Sequence, residues 1–233
     1  LWLVDGHNVS DEDLAFFLQQ LGPGEIARHA RFIRPERARQ FVLGRVLLRL
    51  AMGKLLNLSP TVINVVERNA NAPDMVLPEP HPTQPGFSLS HSGRWIACVV
   101  GCDIKLGLDI EIIDPHRDLL EISRSAFHAD EHAWLQQQPD VVRVATFYHL
   151  WSFREALWKL LSNLGTQTAF PLLVGQGGAL REGEDPEWHR TTLLRTGLSC
   201  VVCSTRPLAK LLVIEAVQLT CATWRQALDR SAK

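Results

Sequence analysis

Across residues 25–56, apolar side chains recur at 41/42, 46, 48/50 and 55. That is close to the 3.6-residue period of a helix, and Pro35 stands where a helix would start. Residues 61–67 read as a strand. Pro73, Pro78, Pro80, Pro82 and Pro85 follow, a density that gives an extended surface connection. Residues 86–90, 94–100 and 106–112 then read as three short strands. Residues 118–138 and 141–164 are helical by period, the second closed by Gly165 as a C-terminal cap. A turn-rich loop over 175–186, strands at 198–204 and 211–217, and a short helix complete the chain. Trp95-Ile-Ala-Cys-Val-Val100 echoes Gly197-Leu-Ser-Cys-Val-Val202, each a late strand of its half. The echo suggests two related α+β halves that meet near residue 105.

Composition narrows the class. The 233 residues are 46% hydrophobic and 21% charged, as in a water-soluble globular protein of one large domain or two small coupled ones. A chain of that length buries roughly 70% of its unfolded surface and needs no disulfide or metal staple. The most apolar stretch, 41–56, is broken by Arg45, Arg49 and Lys54, so no run of about 18 uncharged apolar residues offers a membrane span. The chain begins with Leu1 rather than Met, and no signal-peptide pattern is visible. Five cysteines, an odd number without a dense framework, fit a reducing cytoplasm. Cys200 and Cys203 have C-x-x-C spacing, but on a strand residues three apart face opposite ways, so they read as buried, inert thiols.

A net charge of −1 excludes a globally basic nucleic-acid coat, yet it averages over a split. Residues 25–54 hold eight Arg/Lys against two Glu, a local +6; residues 103–140 hold nine Asp/Glu against three Arg/Lys, a local −6. A basic stretch suits phosphates and an acidic one a cation, unless both are simply solvated faces.

Several candidate motifs fail. There is no P-loop, and Gly175-Gln-Gly177-Gly178 lacks the following helix of a phosphate cradle. His128-Ala-Asp-Glu131-His132 has the H-x-x-E-H spacing of a zinc protease, with an acidic helix start as the plainer reading. Asp109 and Glu111 are a sharper signal. They lie two apart in Leu106-Gly-Leu-Asp-Ile-Glu-Ile-Ile113, which puts both carboxylates on one strand face, while Leu108, Ile110 and Ile112 take the other, buried face. Two such carboxylates repel unless a cation lies between them, and hard oxygen donors point to Mg²⁺; the plain alternative is a solvent-facing strand edge. Glu155 and Lys159, four apart in Trp151-Ser-Phe-Arg-Glu-Ala-Leu-Trp-Lys159, share a helix face. Ser152-x-x-Glu155 also has capping-box spacing, but the apolar period through Val144, Phe147 and Trp151 starts the helix earlier and leaves Glu155 mid-helix. Phe87-Ser-Leu-Ser90-His91-Ser92-Gly93 reads as a strand ending in a turn that could offer hydroxyl, imidazole and N–H groups to an anion.

In this order the segments resemble the 4′-phosphopantetheinyl transferases of the surfactin-synthetase-activating type. That family has a Ser-His turn, a G-(I/V/L)-D-x-E strand and a W-(S/T)-x-K-E-(A/S)-x-x-K helix. Phe147-Tyr-His-Leu-Trp151, Arg31-Phe32 and Leu43-Gly44-Arg45 are similar too, so the likeness runs along nearly the whole chain. It implies an α+β fold of two pseudo-symmetric halves, 1–104 and 105–233, with the active site at their interface. It also implies transfer of the phosphopantetheine arm of coenzyme A to a serine of an apo acyl or peptidyl carrier protein, releasing adenosine 3′,5′-bisphosphate. By the same resemblance Asp109, Glu111 and Glu155 hold Mg²⁺, and Glu155, Lys159 and His91 are catalytic, with Glu155 as general base. Arg28, Ser90, His91 and Lys159 bind coenzyme A. The tandem halves favour a monomer, with no nucleic acid and no membrane as partner. Three positions depart from the family pattern. Arg154 replaces a lysine and keeps its charge. Ala72, in Asn71-Ala72-Pro73, stands for a basic residue and Phe41 for a small hydroxyl residue, so nucleotide contacts should be rearranged, with Arg37, Arg39 or Arg45 as substitutes. A catalytically silent relative that binds coenzyme A or a carrier protein is the alternative.

Overall fold

Helices and strands follow one another largely as the hydrophobic pattern predicts, with local capping setting the differences. The computed structural model describes residues 1–66, 73–78, 81–165, 171–175, 179–181, 183–184, 188–208 and 218–230. Strand β1 (Trp2–Asp5) leads through a 3-10 turn to helices α1 (Asp11–Leu18), α2 (Pro23–His29) and α3 (Pro35–Leu56). Then come β2 (Asn64–Val66), β3 (Asp74–Val76), β4 (Pro85–Ser92) and β5 (Trp95–Cys102). Strand β6 (Leu106–Ile112) is followed by α4 (Leu119–Ala126), α5 (Ala129–Gln136) and α6 (Asp140–Leu164). Strands β7 (Gly183–Glu184), β8 (Trp188–Arg195) and β9 (Leu198–Ser204) precede α7 (Cys221–Arg230). No helix among the described residues is long and apolar enough to cross a membrane.

The chain forms two units, Leu1–Lys105 with Lys210–Lys233, and Leu106–Ala209. In the first, β1, β5 and β4 make an antiparallel sheet with β5 in the centre, and β2 pairs with β3 separately. Helix α3 lies on that sheet, and its Leu43, Val46 and Leu47 share a core with Val4, Ile96 and Cys98. Helix α7 belongs here as well, whereas a cut of the chain at 104/105 would leave it with the second half. Its Trp224 is buried with its ring centroid 6.3 Å from that of Phe17, and the Cys221 N–H donates to Asp13 Oδ1 at 2.7 Å.

In the second unit the strand order is β6-β9-β8-β7, antiparallel throughout. Helix α6 covers it, placing Phe147, Phe153, Leu157 and Leu160 in a core with Val201 and Cys203. Each unit is thus a long helix on an antiparallel sheet. The two echoing segments fall in β5 and β9, each flanked by a partner strand on both sides. The α+β class and its doubled plan agree with the sequence pattern.

Several boundaries differ from the hydrophobic period. The helix predicted over 25–56 is split, because Pro35 opens α3 and holds Arg34 in an extended conformation. The helix predicted over 118–138 breaks at Phe127, which is extended, and His128, whose ring and backbone N–H form a capping box with α5. The proline-rich connection contains β3, which pairs with β2. Strands β1 and β8 and helix α1 carry no strong periodic signal and were not predicted. The strand expected over 211–217, and Ala72, lie outside the described residues. Gly165 does cap α6, with φ +71°.

One glycine sets how close the second unit's helix comes to its sheet. A Cβ on Gly107 of β6 would lie 1.9 Å from the Ala156 carbonyl oxygen and 2.7 Å from the Leu160 nitrogen, both α6 backbone. Backbone atoms cannot step aside as a side chain can. Gly107→Ala should therefore cost about 1–3 kcal/mol or more, read as a lower urea midpoint. Gly24→Ala, whose added methyl meets nothing within 4 Å, should leave the midpoint unchanged or slightly raised. Equal midpoints for the two variants would contradict the close approach.

Candidate active site

Because α6 rests on β6 at Gly107, the strand alternation turns the Gly107, Asp109 and Glu111 face toward the helix. The sequence pattern assigned burial to the opposite face alone, and the structure corrects this. Asp109 is only 4% exposed, nearly as enclosed as Leu108 and Ile110, while Ile112 is 36% exposed and Glu111 is partly exposed near the strand end. A carboxylate out of water needs a partner. Lys159 supplies one, its Nζ donating to Asp109 Oδ1 at 2.9 Å and to the Leu108 carbonyl at 2.8 Å. One turn on, Asn163 Nδ2 donates to the Leu106 carbonyl at 2.9 Å. The D-x-E strand and the helix motif, predicted independently, meet here.

Glu155 lies one turn before Lys159. Helix α6 begins at Asp140, so Glu155 is mid-helix, and Ser152 is fully buried rather than a cap. Its carboxyl pKa is raised, first by burial and then by the charge of Asp109, while Lys159 and Arg154 pull it down less strongly. Glu155 and Asp109 thus act on each other as like charges near one cation.

Arg154 faces elsewhere. Its Nη1 donates to Glu131 Oε2 at 2.6 Å, and Glu131 is wholly buried. The same carboxylate accepts the N–H of His128 at 3.1 Å and that of Leu173 at 2.8 Å. This disposes of the zinc pattern: His128 caps α5 from outside the helix, Glu131 is bound inside, and His132 Nδ1 pairs with Ser123 Oγ at 2.7 Å. Among the described residues no three His, Cys, Asp or Glu are gathered as a metal cluster. Cys200 and Cys203 are buried on β9 and burial raises both thiol pKa values, that of Cys200 to about 12, so neither is a reactive thiolate. The network around Glu131 was not foreseen; its only sequence signal was the spacing read as a ligand pattern.

In the first unit, β4 continues through Ser92, pairing Ser90 with Ala97, His91 with Ile96 and Ser92 with Trp95. The expected Ser-His turn is therefore strand, and the turn is Gly93-Arg94, with Gly93 at φ +49° as a tight hairpin requires of its first central residue. Ser90 and His91 consequently point to opposite faces of β4, Ser90 buried and His91 exposed. Arg37 Nη1 of α3 lies 2.9 Å from the ring nitrogens of His91. Arg28 of α2 is half-buried, with its guanidinium 5.7 Å from the centroid of the Phe41 ring, which also carries Arg45 at 4.7 Å and Phe32 at 5.3 Å.

The strain on Glu155 makes a prediction about stability. A carboxyl whose pKa is raised by folding contributes stability below its ordinary value of about 4.5, and loses that contribution as pH rises through the raised value. Glu155→Gln, neutral throughout, should be more stable than the parent at pH 7, with the advantage fading below about 4.5. Urea midpoints at several pH values check this, and a variant less stable at pH 7 would contradict the assigned strain.

Comparison with known proteins agrees with the geometry. The family model of the 4′-phosphopantetheinyl transferase superfamily matches residues 105–189, the span from β6 through α6 into the start of β8. A 4′-phosphopantetheinyl transferase of Bacillus subtilis is 31% identical over 188 residues, 76% of this chain and 79% of its own length. The 4′-phosphopantetheinyl transferase psf-1 of Bacillus pumilus is 34% identical over 74% of this chain and 73% of its own. The 4′-phosphopantetheinyl transferase Sfp of Bacillus subtilis (strain 168) is 28% identical over 85% and 88%. With such identity along most of both chains, and with the acidic strand and the helix of Glu155 and Lys159 brought together as described, the chain belongs to the 4′-phosphopantetheinyl transferase superfamily.

Proposed function

We propose that this chain transfers the 4′-phosphopantetheine arm of coenzyme A to a serine of an apo acyl or peptidyl carrier protein. The observation that carries the reading is the meeting of Asp109, Lys159 and Glu155 across β6 and α6. The serine Oγ forms a bond to the pantetheine-side phosphorus, the bridging P–O bond breaks, and adenosine 3′,5′-bisphosphate leaves. Glu155 accepts the serine proton, directly or through a water; its raised pKa makes it a better base than an ordinary carboxylate. Lys159 offers its ammonium to the pyrophosphate and to the charge growing on the leaving group. Arg28 and the exposed His91 hold phosphate oxygens of coenzyme A, whereas Ser90, buried on the other face of β4, does not reach the same oxygens. Two helix-on-sheet units in one chain favour a monomer, and the free thiols fit a reducing cytoplasm.

The donor set fits Mg²⁺. Asp109, Glu111 and Glu155 offer only hard oxygen, and Asp109 and Glu155 repel each other in a partly desolvated setting that a cation would relieve. Mg²⁺ is ordinarily held by one or two carboxylates with substrate phosphates and water, so the reading requires no preformed protein cluster. When bound, the ion would neutralise charge on the pyrophosphate.

Intact-mass analysis of an apo carrier protein incubated with the chain, coenzyme A and Mg²⁺ tests the reading. A gain of one phosphopantetheine arm, lost with EDTA, is the expected result. No gain on several carrier types would favour a silent relative that only binds. Glu155→Gln should lower the transfer rate by about 10²–10⁴ while staying folded, and near-normal turnover would remove its role as base.

A further inference from the structure

Three arginines of α3 are candidates to replace the nucleotide contacts missing at Phe41 and Ala72, and their surroundings separate them. Arg39 is fully engaged inside the first unit: it donates to the carbonyls of Gly6 and Val9 and pairs with Asp11 at 2.9 Å. Arg45 is 5% exposed, paired with the buried Glu25 at 3.4 Å and stacked on Phe41. Arg37 differs from both. It is exposed, its partners are the His91 ring at 2.9 Å and Gln40 Oε1 at 3.3 Å, and among the described residues no carboxylate pairs with it.

The neighbourhood of Arg37 is braced. Gln40, 6% exposed, accepts from Arg37 and donates through Nε2 to the Gly93 carbonyl at 2.6 Å, tying α3 to the β4–β5 hairpin that presents His91. A guanidinium beside an imidazole has its charge unanswered, since a neutral ring nitrogen offers only a lone pair. An oxyanion would answer it better: the planar fork of arginine matches phosphate oxygens in pairs, and the imidazole can turn donor to the same group.

Resting on the transferase reading above, we propose that Arg37 acts with His91 on a phosphate of coenzyme A, taking over the nucleotide-side role that Phe41 cannot perform. The test is calorimetric binding to the full chain without carrier protein, using coenzyme A and 3′-dephospho-coenzyme A. Arg37→Gln should weaken coenzyme A binding about tenfold or more, Arg37→Lys should recover part of the loss, and both should keep the parent urea midpoint. If the 3′-phosphate is the group held, the parent and Arg37→Gln will bind the dephospho ligand alike. If it is the pyrophosphate, both ligands will lose equally. Arg37→Gln binding coenzyme A within about twofold of the parent overturns the assignment to Arg37 and leaves the transferase reading intact. A parent chain that binds no coenzyme A overturns both.

Discussion

A helix resting directly on a strand, with no side chain between them, governs the second unit. At Gly107 the backbones of β6 and α6 nearly touch. Two residues further along the strand that nearness takes Asp109 out of water, and a desolvated carboxylate demands a cation. The cation is on the helix that caused the burial, at Lys159. Glu155, a turn away, then sits in the field of Asp109 and resists ionisation. Packing, charge pairing and a strained acid thus descend from the missing Cβ of one residue.

Other buried carboxylates here are quiet by comparison. Glu25 is held by Arg49 at 2.6 Å and by Arg45, which joins α2 to α3. Glu131 collects Arg154 and two backbone N–H groups, which joins the start of α5 and the segment at Leu173 to α6. Each has several donors and, among the described residues, no carboxylate as a partner, so its charge is satisfied internally and fastens segments together. Asp109 and Glu155 share their lysine and repel each other. That unevenness separates carboxylates that brace a fold from a pair that repel each other, the pattern expected of a functional site.

Much of this was legible in the sequence because it rests on local rules. Alternation put Asp109 and Glu111 on one face, the helical period placed Glu155 and Lys159 together, and Gly165 ended the helix as its freedom at positive φ allows. What escaped was decided by contacts between distant segments. Whether the Asp109 face was open or covered depended on α6, fifty residues on. The Ser90–Ser92 segment became strand because β5 supplied partners for it. His128 and Glu131 had the spacing of metal ligands, and only the helix break at Phe127 shows them to be a cap and an anchor. Arg37, Arg39 and Arg45 are indistinguishable until their neighbours are known.

The position of α7 bears on synthesis. Its Trp224 fills the core of the first unit beside Phe17, and Asp13 near the start of the chain receives the N–H of Cys221. A ribosome makes these partners 208 residues apart. The second unit, Leu106–Ala209, is an uninterrupted stretch and has all its residues before α7 emerges. The unit begun first is therefore finished last, and until then the nascent chain carries an apolar pocket around Phe17 awaiting its tryptophan. Domains ordinarily fold in the order they are made; in this chain the middle can mature ahead of the beginning.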